Sequence, residues 1–368
     1  MRIYISNLVP KEWVVTDLGK NIQLGYKATK GKGPKSFIFP KKIIIDETFM
    51  EGLGLFLGDS DLNRKEKRHL SYCSKDKDIA KHALNFLQIY FLVNIKDVTF
   101  TVQYRKKNKN IEKGWSEFLN IPKNKVLTRF SNRHKEETMQ IQVNGSVFRK
   151  LFETTIKKVL DKNFIQNKNF RRGILRGLFA AEGNIGIDYL EKKPYISQIT
   201  FNLHINEIHI KDIICNILRM EKINFRTSVR KEYNTLEIHV SNWKNYWKFY
   251  QIKVFDLCDR KKNKFIKILE KLKVYCILEE TTRDSFFNSL NLKQQEIAKL
   301  INSWQGNVSK TTKGIHNLTI EQLIILQTAN QFPMNELKKG IKTLRIGSLT
   351  EIEDEEFMNF IFNLKINQ

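Results

Sequence analysis

The 368-residue sequence lacks most of the features that mark small-molecule enzymes, secreted proteins and membrane proteins. Its four cysteines, Cys73, Cys215, Cys258 and Cys276, show no C-x-x-C spacing, which argues against a zinc site and more strongly against a disulfide framework. No apolar run has the length of a signal peptide or a membrane span, so we expect no membrane partner and a location in the cytoplasm or an organellar matrix. The absence of a P-loop, a G-x-G-x-x-G turn or a nucleophile elbow argues against a small-molecule enzyme.

Acidic residues are scarce relative to basic ones, because 39 Asp and Glu stand against 64 Lys and Arg, a formal net charge of +25. Residues 285–368 contain nine basic and eight acidic side chains, so 55 basic and 31 acidic side chains lie in residues 1–284. A positive excess of this size suits a polyanionic partner such as nucleic acid. The sequence is also rich in Lys, Asn, Ile and Phe, as an AT-rich genome would favour, and this bias accounts for part of the excess.

Two short segments, residues 52–60 (GLGLFLGDS) and 175–183 (LRGLFAAEG), share an unusual pattern. In each, apolar residues recur at helical spacing and two small residues lie four positions apart, so one face of the predicted helix has almost no side chains. The small residues are Gly54 and Gly58 in the first segment and Gly177 and Ala181 in the second. Glycine within a helix costs about 1 kcal/mol relative to alanine, and close approach of two backbones would offset that cost. The pattern therefore predicts two helices that pack together.

A carboxylate follows each run of small and apolar residues, Asp59 in the first segment and Glu182 in the second, 123 residues apart. Similar β-rich sequence follows both, which predicts an internal duplication. The helix dipole disfavours carboxylates at helix C-termini, and two of them side by side repel strongly unless divalent cations neutralise them. A buried glycine-rich helix with a solvated terminal acid explains one segment equally well, but two matched segments in a basic protein favour a metal-dependent nuclease.

Both segments resemble the LAGLIDADG motif of homing endonucleases, in the single-chain form that carries two copies. The resemblance covers residues 40–275 approximately and implies that Gly54 and Gly177 occupy the motif's central glycine position. It also implies that Asp59 and Glu182 occupy the last acidic position of the motif, which is the metal-binding one.

Several positions depart from the motif. Leu57 and Ala180 replace its first acid, which is not the usual metal ligand, and Ser60 replaces the final glycine of the first copy. Glu182 in place of aspartate moves the carboxylate by one methylene, which would alter metal geometry or rate. Asp61 is a second candidate ligand after the first motif, although the motif's register favours the earlier acid.

The fold class that the resemblance implies is α+β, with a pseudo-symmetric, duplicated α-β-β-α-β-β-α unit whose antiparallel sheets bind DNA. The predicted divisions are an N-terminal lead-in at 1–46, a first half at 47–165, a second half at 166–279 and a small helical C-terminal extension at 280–368. The last of these is predicted as an accessory domain, and it fits either a helix-turn-helix-like DNA module or a plain helical packing domain.

The predicted element order follows from periodicity along the chain. In the first half we expect helices at 47–58, 76–93 and 146–160, with strands near 60–64, 67–74, 97–105 and 137–144. In the second half we expect helices at 170–182 and 206–221, strands near 184–190, 195–205, 224–231 and 234–241, and further helices to about residue 274. Asp76 or Ser74 is a plausible cap of the second helix, and residues 106–136 are interpreted as a basic loop that contacts phosphate.

Polar residues alternate with apolar ones along several predicted strands, and their types favour base recognition in a nuclease fold. Gln, Asn, Thr, Ser, Arg and His match the donors and acceptors on base edges, whereas an ordinary solvated face contains more Glu and Lys. The predicted DNA-binding residues of the first half are Thr99, Thr101, Gln103, Arg105, Gln140, Gln142 and Asn144. Those of the second half are Gln198, Thr200, Asn202, His204, Arg226, Ser228, Arg230, Glu237 and His239.

The predicted chemistry is hydrolysis of a phosphodiester by metal ions. Two acids that hold Mg²⁺ supply an activated water and stabilise charge on the phosphorus and on the departing oxygen. We expect two or three Mg²⁺ ions at Asp59 and Glu182, with Mn²⁺ as a substitute. The resemblance further implies a basic residue near each phosphate. Lys261 is the catalytic candidate in the second half, with Arg260 as its rival, and a solvated basic run at 260–262 is the alternative interpretation.

The predicted function is therefore a monomeric, site-specific homing endonuclease that makes a staggered double-strand cut in a long asymmetric DNA target and serves intron homing. Two alternatives remain open. A catalytically silent LAGLIDADG-type regulator would bind DNA without cleavage, and a maturase would bind intron RNA.

Overall fold

The structure, a computed structural model of the chain, describes all residues except 27–34, 63–67, 107–109, 133–134, 162, 191–192, 347–349 and 367–368. The chain divides into two units. Residues 1–184, 199–240 and 249–262 form the first unit, and residues 185–198, 241–248 and 263–368 form the second. The domain boundaries after residues 46, 165 and 279 stay predictions.

The first 46 residues contain short strands, in agreement with the predicted β-rich lead-in. They form β1 (Arg2–Tyr4), β2 (Trp13–Leu18), β3 (Asn21–Tyr26), β4 (Phe37–Pro40) and β5 (Lys42–Ile44). Strands β2, β3 and β4 make an antiparallel sheet, and β1 pairs with β5. The ring of Phe39 stacks on Phe148 at a centroid distance of 5.9 Å, so this segment packs on the core of the first half.

The first half begins with a motif helix and continues as a sheet covered by helices. Its elements are α1 (Glu47–Asp59), β6 (His69–Ser74), α2 (Lys77–Phe91), β7 (Val98–Tyr104), α3 (Ile111–Leu119), β8 (Val126–Phe130), β9 (Thr138–Asn144) and α4 (Ser146–Leu160). The sheet order is β6-β9-β7-β8. Apolar residues at alternate positions, such as Phe100 and Ile141 on paired strands, are fully buried, and this alternation fixes the register of the sheet.

The prediction of a basic loop at residues 106–136 was wrong. Ile111, Trp115 and Leu119 recur at helical spacing and are buried, so the segment folds as the amphipathic helix α3. Strand β8 then pairs in parallel with the outer edge of β7. Within this segment, residues 107–109 and 133–134 lie outside the described residues.

The predicted strand near 60–64 is reduced, in its described part, to one bridge between Ser60 and Tyr72. Ser60 takes an extended conformation that ends α1, and its hydroxyl donates to the carbonyl oxygen of Phe56. Residues 63 and 64 lie outside the described part of the chain. The first half therefore differs from the predicted unit at this strand.

The second half repeats the predicted order. Its elements are α5 (Lys168–Glu182), β10 (Gly183–Leu190), β11 (Lys193–His204), α6 (Ile208–Met220), β12 (Phe225–Arg230), β13 (Thr235–Val240), α7 (Trp243–Gln251) and α8 (Asp259–Lys271). Residues 199–204 of β11 pair with β13, which pairs with β12, all antiparallel. Strand β10 pairs with β11. This repetition confirms the predicted α+β fold class with antiparallel sheets.

The C-terminal region contains the predicted helices and, in addition, strands that the sequence pattern did not indicate. Its elements are β14 (Val274–Leu278), α9 (Glu280–Ser289), α10 (Gln294–Leu300), α11 (Gln305–Thr312), β15 (Leu318–Thr319), α12 (Ile320–Asn330), α13 (Met334–Lys339), β16 (Ile341–Ile346), β17 (Thr350–Ile352) and α14 (Glu355–Ile366). The strands form one sheet in the order β15-β14-β16-β17, and β15 and β17 are too short to show alternation in sequence. Across the described ranges, every helix is too short or too polar to cross a membrane.

Candidate active site at the motif helices

The two motif helices, α1 and α5, touch through their small residues. A Cβ atom added to Gly54 would lie 2.8 Å from the backbone nitrogen of Leu178 and 2.9 Å from Cα of Gly177. A Cβ atom added to Gly177 would lie 2.7 Å from the backbone nitrogen of Leu55 and 2.8 Å from Cα of Gly54. No side chain fits in that space, so glycine at both positions allows the two backbones to approach.

The contacts advance in the same direction along both helices. Gly54 lies against Gly177, and a Cβ atom added to Gly58 would lie 2.5 Å from Cβ of Ala181 and 3.1 Å from Cγ of Glu182. Asp59 and Glu182 are the last residues of α1 and α5. The packing therefore brings the two carboxylates to the same end of the helix pair, as the duplication predicted.

Local signals in the sequence set where each motif helix begins and ends. The side chain of Asp46 accepts a hydrogen bond from the backbone N–H of Phe49 at 2.8 Å and caps α1. Asn167 caps α5 by accepting from the backbone N–H groups of Asn169 and Phe170. Each helix ends directly after its acid, because Ser60 and Gly183 are extended. The acids thus sit at the negative ends of two helix dipoles.

The surroundings of the two acids disfavour their charged forms. Burial raises the pKa of Asp59 to about 6, with nearby Asp76 and Glu207 adding to the shift and Lys261 opposing it. Burial raises the pKa of Glu182 to about 8, and the charges of Asp59 and Glu207 raise it further while Lys261 opposes them. Two acids that resist ionisation and repel one another make an environment in which a divalent cation would bind favourably.

Lys261 lies next to these acids and is almost fully buried, with 4 % of its surface exposed. Its Nζ donates to the carbonyl oxygens of Phe179 at 2.8 Å and Ala180 at 2.6 Å, in the last turn of α5. Burial lowers its pKa, while the neighbouring Cys258 and Asp59 oppose that change. Its positive charge acts to lower the pKa of both carboxylates.

Arg260, the rival candidate, is engaged elsewhere. Its guanidinium binds both carboxylate oxygens of Asp76, at 2.7 and 2.9 Å. The prediction of Asp76 or Ser74 as the cap of α2 is confirmed in position for Asp76, which is the N-cap residue of that helix. Asp76 precedes the helix, but its carboxylate makes no capping hydrogen bond and pairs with Arg260 instead.

The residues present fit a magnesium ion better than a zinc cage. Within the described ranges, no group of three or more His, Cys, Asp or Glu is placed to hold a metal ion. Mg²⁺ is commonly held by one or two carboxylates together with waters and substrate phosphates, so Asp59 and Glu182 match this donor set. Structural zinc needs four protein ligands, most often Cys or His. The pair of acids is therefore a candidate site for a hard divalent cation.

Asp61, the second candidate ligand, belongs to the scaffold of the first half. Its Oδ1 accepts from the backbone N–H of Ser71 at 2.9 Å and from Nη1 of Arg149 at 3.3 Å. Arg149 also donates to the carbonyl oxygen of His69 at 2.7 Å. These bonds tie the start of β6 to α4, and they explain why an acid follows the motif here.

Arg176 is a residue of the site region that sequence reasoning missed. It lies on α5 and bonds to two acids of α1, to Glu51 at 2.7 Å and to Glu47. Its Nη1 also donates to the carbonyl oxygen of Ile252 at 3.1 Å. The signal in the sequence was an arginine inside an otherwise small and apolar motif, and its partners lie more than 120 positions earlier. These two ion pairs fix the register of the two helices.

The predicted polar residues of the first half share one face of the sheet. Thr101 lies opposite Gln140, and Thr99 opposite Gln142, across the β7–β9 pair. Side-chain hydrogen bonds link this face, from Gln103 to Gln140 at 3.1 Å and from Asn144 to Thr99 at 2.8 Å. Arg105 is exposed just beyond the end of β7.

Most of the predicted polar residues of the second half also share a face, across the three strands of the first unit. The rows are Thr200, His239 and Arg226, then Asn202, Glu237 and Ser228, then His204, Thr235 and Arg230. Glu237 and His239 are buried within this face, where Arg230 lies 3.0 Å from Glu237 and the Ser228 hydroxyl lies 2.8 Å from Nε2 of His239. Gln198 belongs to the second unit, two residues before Thr200 on β11.

Strand β8 adds a residue that the sequence interpretation missed. Arg129 pairs with Gln103 in the parallel β7–β8 register and is exposed, so it extends the polar face of the first sheet at its outer edge. Its signal in the sequence was weak, because the strand follows a helix inside a segment that was interpreted as a loop. In the first-half sheet, β8 lies beyond β7 at the sheet edge. In the second-half sheet, β12 is itself the edge strand, with no further strand beyond it among the described residues.

Comparisons with known proteins give similarity in structure only. No protein-family model matches the chain, and no curated protein matches it in sequence. Among solved structures, the homing endonuclease I-DmoI in complex with DNA and Mn is 12% identical, with 56% of this chain and 96% of that chain covered and a TM-score of 0.34. The I-LtrWI LAGLIDADG homing endonuclease bound to target DNA is 11% identical, with 60% and 89% covered and a TM-score of 0.33.

A third similar structure is full-length DUF199/WhiA from Thermotoga maritima, which is 13% identical. The match covers 78% of this chain and 92% of that chain, with a TM-score of 0.35. I-DmoI and I-LtrWI are homing endonucleases, the class of protein whose motif the two segments resemble. The description of the fold rests on the order of helices and strands in this chain and on the contact of α1 with α5.

Proposed function

We propose that the protein is a site-specific DNA endonuclease that makes a metal-dependent, staggered double-strand cut in a long asymmetric target. The observation that carries the proposal is the meeting of Asp59 and Glu182 at one end of two crossing helices, in surroundings that raise both pKa values. A purely structural helix contact has no need of two partly buried, mutually repelling acids. One acid comes from each repeat, so each repeat contributes to a site that acts on a two-stranded substrate.

Asp59 and Glu182 would hold Mg²⁺, with Mn²⁺ as a substitute. Such an ion supplies a water of lowered pKa and stabilises charge on the phosphate and on the departing oxygen. Lys261 is a positioning residue in this scheme, because its Nζ is fixed by two carbonyl oxygens of α5 and its charge reduces the repulsion around the acids. The same charge favours the approach of a phosphate to this end of the helices.

Duplex DNA is the proposed substrate because of the two polar sheet faces and the positive charge. Each face combines amide, hydroxyl and basic side chains on antiparallel strands, the types that read base edges in the major groove. Residues 1–284 carry 55 basic against 31 acidic side chains, which favours binding to phosphates. The similar structures of I-DmoI and I-LtrWI were solved in complex with DNA, and here the same partner is proposed for this chain.

The test is cleavage of a duplex that carries the rejoined sequences flanking the gene. Wild type, Asp59→Asn/Glu182→Gln and the control Asp212→Asn, which changes an exposed acid of α6, are compared in Mg²⁺ and in EDTA. We expect wild type and control to cut in Mg²⁺ only, and the double variant to bind without cutting. Tight binding without cutting by wild type in any metal would reject the nuclease and favour a regulator. Preferential binding of the intron transcript would favour a maturase.

A further inference from the structure

Tyr72, on strand β6, carries a buried hydroxyl that is not used by the fold of the first half. None of the surface of this residue is exposed. Within the described ranges of the chain, its hydroxyl makes no hydrogen bond. A buried polar group that stays unpaired costs free energy, whereas an apolar group of the same shape does not. A phenylalanine would therefore suit a purely structural role at this position better than a tyrosine does.

Contacts on both sides of Asp59 in the chain place Tyr72 against the end of α1. Ser60, the residue that follows the acid, forms an antiparallel bridge with Tyr72. Phe56 lies on α1, three positions before the acid, and its ring contacts the ring of Tyr72 at a centroid distance of 5.0 Å. The tyrosine is thus tied to the chain directly before and directly after the first acid of the site.

The second half has the same contact between two rings, but without a hydroxyl. Phe179 lies on α5, three positions before Glu182, and its ring contacts Phe201 on β11 at a centroid distance of 5.4 Å. Phe201 is as fully buried as Tyr72. The two repeats therefore share a pair of rings beside each acid, and in the second repeat phenylalanine is sufficient for the packing. Packing alone does not explain the hydroxyl beside Asp59.

The charges of the site act on this hydroxyl. Burial raises the pKa of Tyr72 well above its usual range, and nearby ionisable groups raise it further, namely Asp59, Cys73, Glu182 and Asp76. The hydroxyl therefore keeps its proton and remains a hydrogen-bond donor. Among these groups Asp59 has the largest effect, and hydrogen bonds to an ionised carboxylate are the strong ones.

We propose that Tyr72 is a positioning residue of the first acid, and that its hydroxyl donates to the carboxylate of Asp59 when that acid is ionised and holds a divalent cation. Because the hydroxyl is fully buried, it acts on a substrate only through the acid. Hydrogen bonds to the carboxylates that hold a metal ion orient them and increase metal affinity. The inference rests on the proposed function in taking Asp59 as a cation ligand. It makes the two acids unequal, because the corresponding ring beside Glu182 belongs to Phe201.

The test measures the binding of Mn²⁺ alone to the full-length chain, from the loss of the free-ion signal in electron paramagnetic resonance. Tyr72→Phe removes only the hydroxyl, and we expect it to bind Mn²⁺ about tenfold more weakly than wild type. Its Tm without metal should equal or exceed that of wild type, because this hydroxyl makes no hydrogen bond within the described fold.

Tyr246→Phe is the matched control. Tyr246 is also buried, lies in the second unit, and donates from its hydroxyl to the carbonyl oxygen of Ser197 at 3.3 Å. The control should therefore have a lower Tm without metal and the Mn²⁺ affinity of wild type. A merely structural role of Tyr72 would give the same pattern as this control.

Infrared spectroscopy reports the hydrogen bond itself. The ring C–O band of Tyr72 is identified as the band that is missing from Tyr72→Phe, and in wild type it should shift when Mn²⁺ is added. Wild-type Mn²⁺ affinity in Tyr72→Phe, or a band that Mn²⁺ leaves in place, would overturn the role of Tyr72 and leave the nuclease untouched. A lower Tm of Tyr72→Phe without metal would also overturn it, because the hydroxyl would then be bonded within the fold.

Cleavage is read separately. Because Tyr72→Phe weakens one acid of two, we expect it to accumulate nicked duplex under conditions in which wild type cuts both strands. Wild type that binds Mn²⁺ more tightly than Tyr72→Phe and cuts no duplex would reject the nuclease alone. Wild type that binds no Mn²⁺ would overturn the role of Tyr72 together with the metal-dependent mechanism.

Discussion

Gly54 and Gly177 lie against each other where α1 crosses α5, each within 3 Å of the space that a side chain on the other would need. They occupy equivalent positions in the two repeats, so this contact marks the centre of the duplication. From it the helices continue in the same direction for five further residues and end at Asp59 and Glu182. The close contact of two glycines thus determines where the two acids meet.

Replacement of either central glycine should separate the helices. Gly54→Ala and Gly177→Ala each place a Cβ atom against backbone atoms of the other helix, and overpacking of this kind costs about 1–3 kcal/mol or more. Gly114→Ala is the matched control, because it lies within α3 and its Cβ atom would approach only the flexible end of Lys77, at 3.4 Å. We expect the control to be neutral or stabilised by up to about 1 kcal/mol. Urea unfolding measures all three, and equal stability of the three variants would contradict the packing.

The stability of the metal-free protein should fall as pH rises from about 4 to 8. The pKa values of Asp59 and Glu182 are raised to about 6 and about 8 from ordinary values of 3.8 and 4.5. The folded chain therefore keeps protons that the unfolded chain has already lost, and this contribution to stability disappears as pH passes through the raised values. Added Mg²⁺ should raise the Tm more at pH 8 than at pH 5, because it favours the ionised acids.

The matched measurement uses Asp59→Asn/Glu182→Gln over the same pH range. This variant removes both titrating groups, so its Tm should depend less on pH and should not respond specifically to Mg²⁺. A Tm increase in Mg²⁺ of the same size in wild type and variant would show that the ion binds elsewhere.

Substitution of Lys261 should change stability and the pH profile of activity, whereas substitution of its neighbour Lys262 should change neither appreciably. Lys261→Met leaves the carbonyl oxygens of Phe179 and Ala180 without this donor, at a cost of about 1–3 kcal/mol, and removes the charge that opposes the raised pKa values of the acids. We expect lower stability and an activity profile displaced to higher pH. Lys262→Met removes a partly exposed pair with Asp256 and should be nearly neutral. A shared pH profile in the two variants would refute the role of Lys261.

Arg129 should influence base preference at one edge of the target. It extends the polar face of β7 and β9 through β8, so Arg129→Ala should weaken specific binding by about 1–3 kcal/mol and relax the preference at the bases that it reads. Lys123→Ala, at an exposed position before β8, is the control and should weaken binding equally across sequences, if at all. Selection of bound sequences from a randomised duplex measures both. Identical sequence preferences in wild type and Arg129→Ala would exclude β8 from base recognition.

The local pattern of the sequence was sufficient for most of the elements in the two halves. Helices α1 and α5 follow from apolar spacing and from the capping residues Asp46 and Asn167, which act within three residues of themselves. The paired strands β7, β9, β11 and β13 follow from strict alternation, a property of each strand alone. The positions of the two acids at the ends of their helices follow from the same local signals.

What the tertiary structure decided depends on contacts between distant residues. The choice between Arg260 and Lys261 is set by Asp76, 184 positions before the arginine, which binds the arginine and leaves the lysine next to the acids. The strand β8 exists because the edge of β7 accepts it, and the sheet of the C-terminal region exists because its short strands pair with one another. The sequence by itself determined the helices, the main strands and the two acids, because those depend on neighbours in the chain. The fold decided which strands pair, which strand is added at the edge of a sheet and which residues surround each charge. These depend on tertiary structure because only folding brings remote residues within reach.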